Sequence, residues 1–316
     1  MPMWRLASAP LAPVLGRDDV IDDVVSRLQA HRWVSLAGAA GMGKTTLAHA
    51  VAHRQTLQGG QAWVAHIAGA PWPACDDAVR TFPVAPDATL VVDDVPPDDD
   101  DWQGALLCWL ESGPQRRVLT TSRVPVQLGG VAVVGLAPLD VDASRTFLQR
   151  RLHELGHAPL GDDDVDLLCR WGDGWPLALE VLAAQLMAVT VRELLSYGRE
   201  AARRLELAAQ GGPLHDALST SWQLLDASMR QLLPRAVVLP DGCSLDDLVA
   251  VVGLSLAQVQ ALVTRSWLQR DADAARSWFR VPAPMRDFLS LRLESNEAES
   301  ARVRWLEVLE SRQVTS

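Results

Sequence analysis

The sequence predicts an α/β fold in which a doubly covered parallel sheet spans roughly the first 136 residues, followed by helices alone, then helices with a two-stranded ribbon. Three observations carry this. Five short, continuously apolar runs alternate with helical patterns, as strands buried on both faces do. One of them runs into a glycine-rich turn that opens a helix. Strand signals then stop near residue 140.

Taken in order, WVSLAG (33–38) is the first strand, and KTTLAHAVAHR from Lys44 has small and apolar residues at helical spacing. QAWVAHIAG (61–69), ATLVVDDV (88–95), RRVLTTS (116–122) and VAVVGL (131–136) are the next strands, with a helix from Trp102 to Glu111 between two of them. Beyond 140, VDASRTFLQRRLHEL and DDDVDLLCRWG read as helices with acids in the first turn. WPLALEVLAAQLM follows with Pro176 as a first-turn residue. VRELLSYGREAARRLELAA runs to Gly211-Gly212-Pro213, a domain boundary by its turn chemistry. The last part pairs helical candidates (SMRQLLPRAVVLP, SLDDLVAVVG, SLAQVQALV, PMRDFLSLRLE) with a ribbon whose second strand is SWFRVPAP and whose turn is AARS. That order predicts a winged helix. The expected partition is a parallel-sheet α/β domain over 1–136, a helical domain over 137–212, a winged helix over 213–293 and a C-terminal helix or linker over 294–316.

Composition narrows the function. The chain has 316 residues, 48% of them apolar, enough for more than one core. Its net charge of −10 makes it a poor general binder of nucleic acid or anionic membrane. No run reaches the ~18–20 apolar residues of a membrane helix, and the first residues lack the apolar core of a signal peptide. Cys75, Cys108, Cys169 and Cys243 show no zinc spacing and are expected as free thiols in a reducing cytoplasm.

Residues 38–45, GAAGMGKT, satisfy GxxxxGK[ST]. Glycines Gly38, Gly41 and Gly43 let backbone N–H groups turn toward phosphate oxygens, and the following helix adds its positive end. Lys44 supplies a point charge for the β and γ phosphates, Thr45 a hydroxyl for Mg²⁺, and Thr46 a donor for the α phosphate. Lys44 is also the single lysine of the chain. LVVDDV (90–95) sets Asp93 and Asp94 at the C-terminal end of a strand, the end that faces ligand in such sheets. Asp93 is the expected Mg²⁺ ligand, and Asp94 the group that orients or activates the attacking water. RVLTTSR (117–123) brings Arg123 to the same edge, near the γ phosphate.

With these elements in order, the chain resembles the NB-ARC class of STAND NTPases, a group of P-loop signal-transduction ATPases, over about residues 14–293. VLGRDDVIDDVV is similar to the motif that precedes their phosphate loop, which implies that Val14 and Leu15 meet adenine and that Arg17 is the motif arginine. RVLTTSR resembles their sensor strand, with Arg123 as sensor, and GLAPLDVDASRTFLQRR the opening of their helical domain. GDGWPLALEVLA resembles the GLPLAL motif, which implies that Pro176 packs on adenine, with Trp175 where leucine is usual. PMRDFL sits where the family carries a phosphate-sensing histidine, replaced here by Arg286; the acid after Arg17 is Asp18 and not glutamate.

The resemblance implies an ATP/ADP switch, held closed by ADP, opened by exchange for ATP and reset by slow Mg²⁺-dependent hydrolysis. Its implied partners are an effector or sensor outside this chain and, with ATP, other copies of itself. The alternative is an ATP-gated transcriptional regulator core. Residues 213–293 hold eight Arg and eight Asp with no Lys or Glu, so a basic DNA-reading face is absent and a lid role is expected. Asp98–Asp101 and Asp162–Asp164 read as solvated helix starts, and His49 and His53 as ordinary polar residues. Most of the twelve Trp are expected in cores, with Trp72, Trp102 and Trp305 as candidates for a partner surface.

Overall fold

The structure is a computed structural model describing residues 4–7, 14–66, 72–83, 85–96, 101–196, 212–271 and 277–315. The end of the second strand signal, Asp98–Asp100, the part beyond residue 196 of the helix expected over 191–209, and most of the AARS turn lie outside the described residues. The chain divides into two compact units. One comprises Met1–Gly38 and Met42–Ala143, the other Ala39–Gly41 and Ser144–Ser316.

The first unit is built on a six-stranded sheet of order β1-β3-β4-β5-β2-β6. Its strands are β1 (Arg5–Leu6), β2 (Trp33–Ala37), β3 (Ala62–His66), β4 (Thr89–Asp93), β5 (Arg117–Ser122) and β6 (Ala132–Gly135). Five of them run parallel. Thr89 of β4 lies beside Arg117 of β5, Trp33 of β2 beside Val118, and Val34 beside Ala132 of β6. Every residue of β2 and β4 is buried, as continuous apolar strands under helices on both faces must be. Helices α1 (Asp18–His31), α2 (Lys44–Leu57) and α4 (Asp101–Glu111) pack against the strands, and α3 (Cys75–Thr81) packs on α4. β1 was not legible in the sequence. It pairs antiparallel with β3 and covers an edge that would otherwise offer unpaired backbone groups.

The core of this unit includes Trp33, Phe82, Leu90, Val92, Trp102, Leu106 and Trp109. Trp102 is 1% exposed and donates its indole N–H to Pro96 O at 3.1 Å. It is therefore a core residue and not the partner-surface residue expected above. Arg116 is buried beneath Trp109, its guanidinium 4.8 Å from the ring centroid and donating to Trp109 O.

The second unit contains α5 (Val141–Glu154), which straddles the division, then α6 (Asp162–Gly172), α7 (Pro176–Gln185) and α8 (Val191–Ser196). Asp162–Asp164 form the first turn of α6, where negative charge meets the positive helix end. Beyond 212 come further helices and a small sheet of β7 (Cys243–Ser244), β9 (Trp278–Arg280) and β8 (Gln269–Asp271), in that order. The sequence announced β8 and β9 but not β7, which is two residues long. Asp173, in the left-handed region at the end of α6, accepts two bonds from Arg280 and one from Ala283 N–H, joining α6 to the small sheet and to the following helix. The final helix, Ser295–Thr315, is fastened by Arg235–Glu297 at 2.9 Å and by Arg312 on the buried carboxylate of Asp247.

Cys169 and Cys243 are free and buried, as expected. Burial pushes the Cys169 thiol up to about 11 and Cys243, with Asp247 adding to it, up to about 12, so both are inert at neutral pH. Cys108 departs from the expectation: it is disulfide-bonded. Among the described residues no single helix is long and apolar enough to cross a membrane.

Candidate functional site

The site lies where β2, β4 and β5 end side by side. A parallel sheet sends all its strand termini to one edge, and the helix that follows a strand starts there with its positive end. Gly38 leaves β2 against Leu136, and a Cβ on it would stand 3.2 Å from Leu136 O. Gly43 sits at φ +84 as the N-cap of α2, a left-handed conformation that glycine adopts without steric cost. These two positions explain why the loop needs glycine independently of any ligand.

Lys44 opens α2 and is 8% exposed, with its Nζ donating to Gly38 O at 2.8 Å. Burial first, then Arg123, lowers its ammonium to about 8; Asp94 and Asp93 oppose the shift. A lysine that pays this desolvation fits a site where anionic oxygens restore its partners. Thr45 Oγ1 donates to Asp93 at 2.9 and 3.0 Å on the two carboxylate oxygens. Thr46 is exposed on the first turn of α2. Asp93, at 2% exposure, ends β4. Asp94 leaves the strand at φ +57, with its carboxylate 3.6 Å from Arg123 Nε. Lys44, Thr45, Asp93, Asp94 and Arg123 therefore lie together at this edge of the sheet.

The residue that sequence reasoning missed is Thr121. Its hydroxyl donates to Asp93 Oδ1 at 2.6 Å and accepts from Asp94 N–H at 2.8 Å. The only signal for it was that polar residues end an otherwise apolar strand.

Val14 and Leu15 are half-buried just before α1. Gly16 is at φ +63, and a Cβ there would stand 2.3 Å from Ala143 Cβ, so the glycine serves a close approach of chain segments. Arg17 is 8% exposed and donates to Ala137 O, tying the start of α1 to the exit of β6; burial lowers its pKa while Asp140 opposes the shift. Within the second unit, Pro176 is the first residue of α7, and Leu177 N–H donates to Gly41 O at 3.3 Å. A Cβ on Gly41, at φ +79, would come within 2.8 Å of Leu177 Cβ. Arg286 spends its guanidinium on Val237 O, Leu239 O and Asp241, closing a local turn.

The donor set suits a nucleotide with Mg²⁺. A hydroxyl and a carboxylate already within one hydrogen bond are the hard oxygen ligands Mg²⁺ prefers. No group of three or more His, Cys, Asp or Glu forms another metal site among the described residues.

No family model matches the chain. It is 29% identical over 272 residues to uncharacterized proteins of Mycobacterium tuberculosis and Mycobacterium bovis, an alignment spanning 76% of this chain and 69% of theirs. Among solved structures it is similar to a Walker-type ATPase of Pyrococcus abyssi at 12% identity, over 90% of this chain and 99% of that one, with a TM-score of 0.52. It is also similar, at 15% identity and a TM-score of 0.43, to a STAND protein with a tetratricopeptide repeat sensor from Pyrococcus horikoshii. That match takes in 96% of this chain, which spans about half (46%) of the Pyrococcus horikoshii chain. The sheet order, the phosphate loop after β2 and the paired acids after β4 together give this chain the fold of a P-loop ATPase.

Proposed function

We propose that this chain is the nucleotide-binding core of a STAND-type molecular switch. ADP holds it closed, exchange for ATP opens it, and slow Mg²⁺-dependent hydrolysis resets it. The observation that carries the reading is the convergence of Lys44, Thr45, Asp93, Asp94 and Arg123 at one sheet edge. Bound Mg²⁺ would neutralise phosphate charge, with Thr45 and Asp93 as its protein ligands. Lys44 gives up Gly38 O to meet phosphate oxygens, Asp94 orients water, and Arg123 stabilises charge on the transferred group.

In this reading the domains are 1–136, 137–212 and 213–293. The β7-β9-β8 sheet and its helices form a winged helix that acts as a lid, and 294–316 is a C-terminal extension. Val14, Leu15 and Pro176 frame the adenine, Gly41 and Thr46 serve the phosphates, and Arg286 exchanges its turn contacts for phosphate in the closed state. An effector or sensor protein, and further copies of the chain, are the partners of the open form. Cytoplasmic placement is part of the same proposal.

Hydrogen exchange and gel filtration on protein loaded with ADP, then with a non-hydrolysable ATP analogue, test it. The expected result is faster exchange across 213–293 with the analogue. Identical exchange in both states, together with fast partner-free turnover, would overturn the switch in favour of an ordinary ATPase.

A further inference from the structure

We propose that Thr121 is a positioning residue that assigns the two acids at the end of β4 to different tasks. Its hydroxyl holds Asp93 beside Thr45, and the same oxygen holds the Asp94 peptide in the turn that sends the second carboxylate toward Arg123. The inference rests on the hydrolytic reading of the site for its catalytic consequence, though not for its geometry.

The directions of the bonds are fixed by chemistry. An ionised carboxylate only accepts and a peptide N–H only donates, so the Thr121 proton goes to Asp93 Oδ1 at 2.6 Å and its lone pair to Asp94 N–H at 2.8 Å. Regular pairing of β4 with β5 ends at Val92 beside Thr120. One residue further on, Thr121 takes over with both side chain and backbone, for Val95 N–H donates to Thr121 O at 2.9 Å. Asp94, between these two bonds, is a non-glycine residue at φ +57, a conformation that persists where its surroundings hold it. Released, it would relax to the extended strand, and its carboxylate would leave Arg123. Thr45 also donates to Asp93, but its oxygen must turn outward to serve a cation. Thr121, 1% exposed, is the hydroxyl that stays on Asp93 through that change.

Thr121→Val keeps the shape of the side chain and removes both bonds; Thr121→Ser keeps both bonds. In Thr121→Val, ADP affinity without Mg²⁺ is expected to stay within about twofold, the Mg²⁺-dependent gain in ATP affinity to fall about tenfold, and kcat to fall ~10–100-fold with KM moving less. Thr121→Ser is expected to restore both. Wild-type Mg²⁺ dependence and kcat in Thr121→Val, or a serine variant as impaired as the valine one, overturns the proposal. Amide exchange at Asp94 in nucleotide-free protein reads the geometry alone: it should accelerate in Thr121→Val and not in Thr121→Ser. If wild type proves unable to bind or hydrolyse ATP, the functional reading fails, while unchanged exchange at Asp94 in Thr121→Val overturns the positioning role itself.

Discussion

Nucleotide binding should draw a proton onto Lys44. The side chain is 8% exposed, and burial, reinforced by Arg123, lowers its ammonium to about 8. Phosphate oxygens beside it would return the pKa to its ordinary range near 10.5 or above. At pH 8 the free protein then holds about half a proton on Lys44 and the complex about one, so binding takes up about 0.5 proton per chain; the same arithmetic gives about 0.1 at pH 7 and 0.9 at pH 9. The shift corresponds to roughly 3 kcal/mol of coupling at high pH. Titration calorimetry with ADP at pH 8, in buffers of different ionisation enthalpy, gives the uptake as a slope. Lys44→Met should abolish the slope and weaken ADP about 100-fold. A wild-type slope of zero at pH 8 and 9, with ADP bound, would refute the argument that the buried ammonium is poised for phosphate. The linkage also has a signature in stability. The folded pKa lies below the unfolded one, so the unfolded chain binds more protons between about pH 8 and 10.5, and this group's contribution to stability rises with pH across that window.

Other perturbations separate architecture from chemistry. Asp94→Asn should leave ATP and ADP affinities within about threefold while lowering single-turnover hydrolysis by ~10²-fold or more, leaving ATP bound in a filter-binding assay. Gly16→Ala places a methyl 2.3 Å from Ala143 Cβ at a φ of +63; a loss of about 2–4 kcal/mol is expected in urea denaturation. Trp102→Ala empties a fully buried indole site and should cost ~3–5 kcal/mol by the same assay, without altering nucleotide affinity beyond what stability dictates.

What the sequence made legible follows the reach of each signal. β2, β4 and β5 fall within their apolar runs because each is a local, buried segment, and β3 and the edge strand β6, of which Val134 alone is buried, show the same kind of run. Asp93, Asp94 and Arg123 could be read because they follow or end strands whose direction the parallel sheet dictates, and Lys44 and Thr45 because they open the helix that the loop after β2 leads into. Features made by distant pairing were not legible. β1 is two residues whose strand character comes from β3, and β7 is two residues completed by β9. Arg17 could be read as a motif arginine, but its bond to Ala137 O, 120 positions away in sequence, had no local signal. Trp102 looked like a surface residue beside an acidic loop, and the meeting of α4 with the sheet buried it. The bond at Cys108 has no spacing signature in the chain. Thr121 stood inside a motif already noticed for Arg123, and its role depends on the turn of the neighbouring strand.

The central claim is that this chain holds a nucleoside diphosphate in its resting state. The direct test is to purify the protein under native conditions, release its small molecules with acid, and count adenine nucleotides per chain by chromatography. The account predicts ADP at close to one per chain, lost in Lys44→Met. Protein that carries no nucleotide and binds neither ADP nor ATP at millimolar concentration with Mg²⁺ would contradict it.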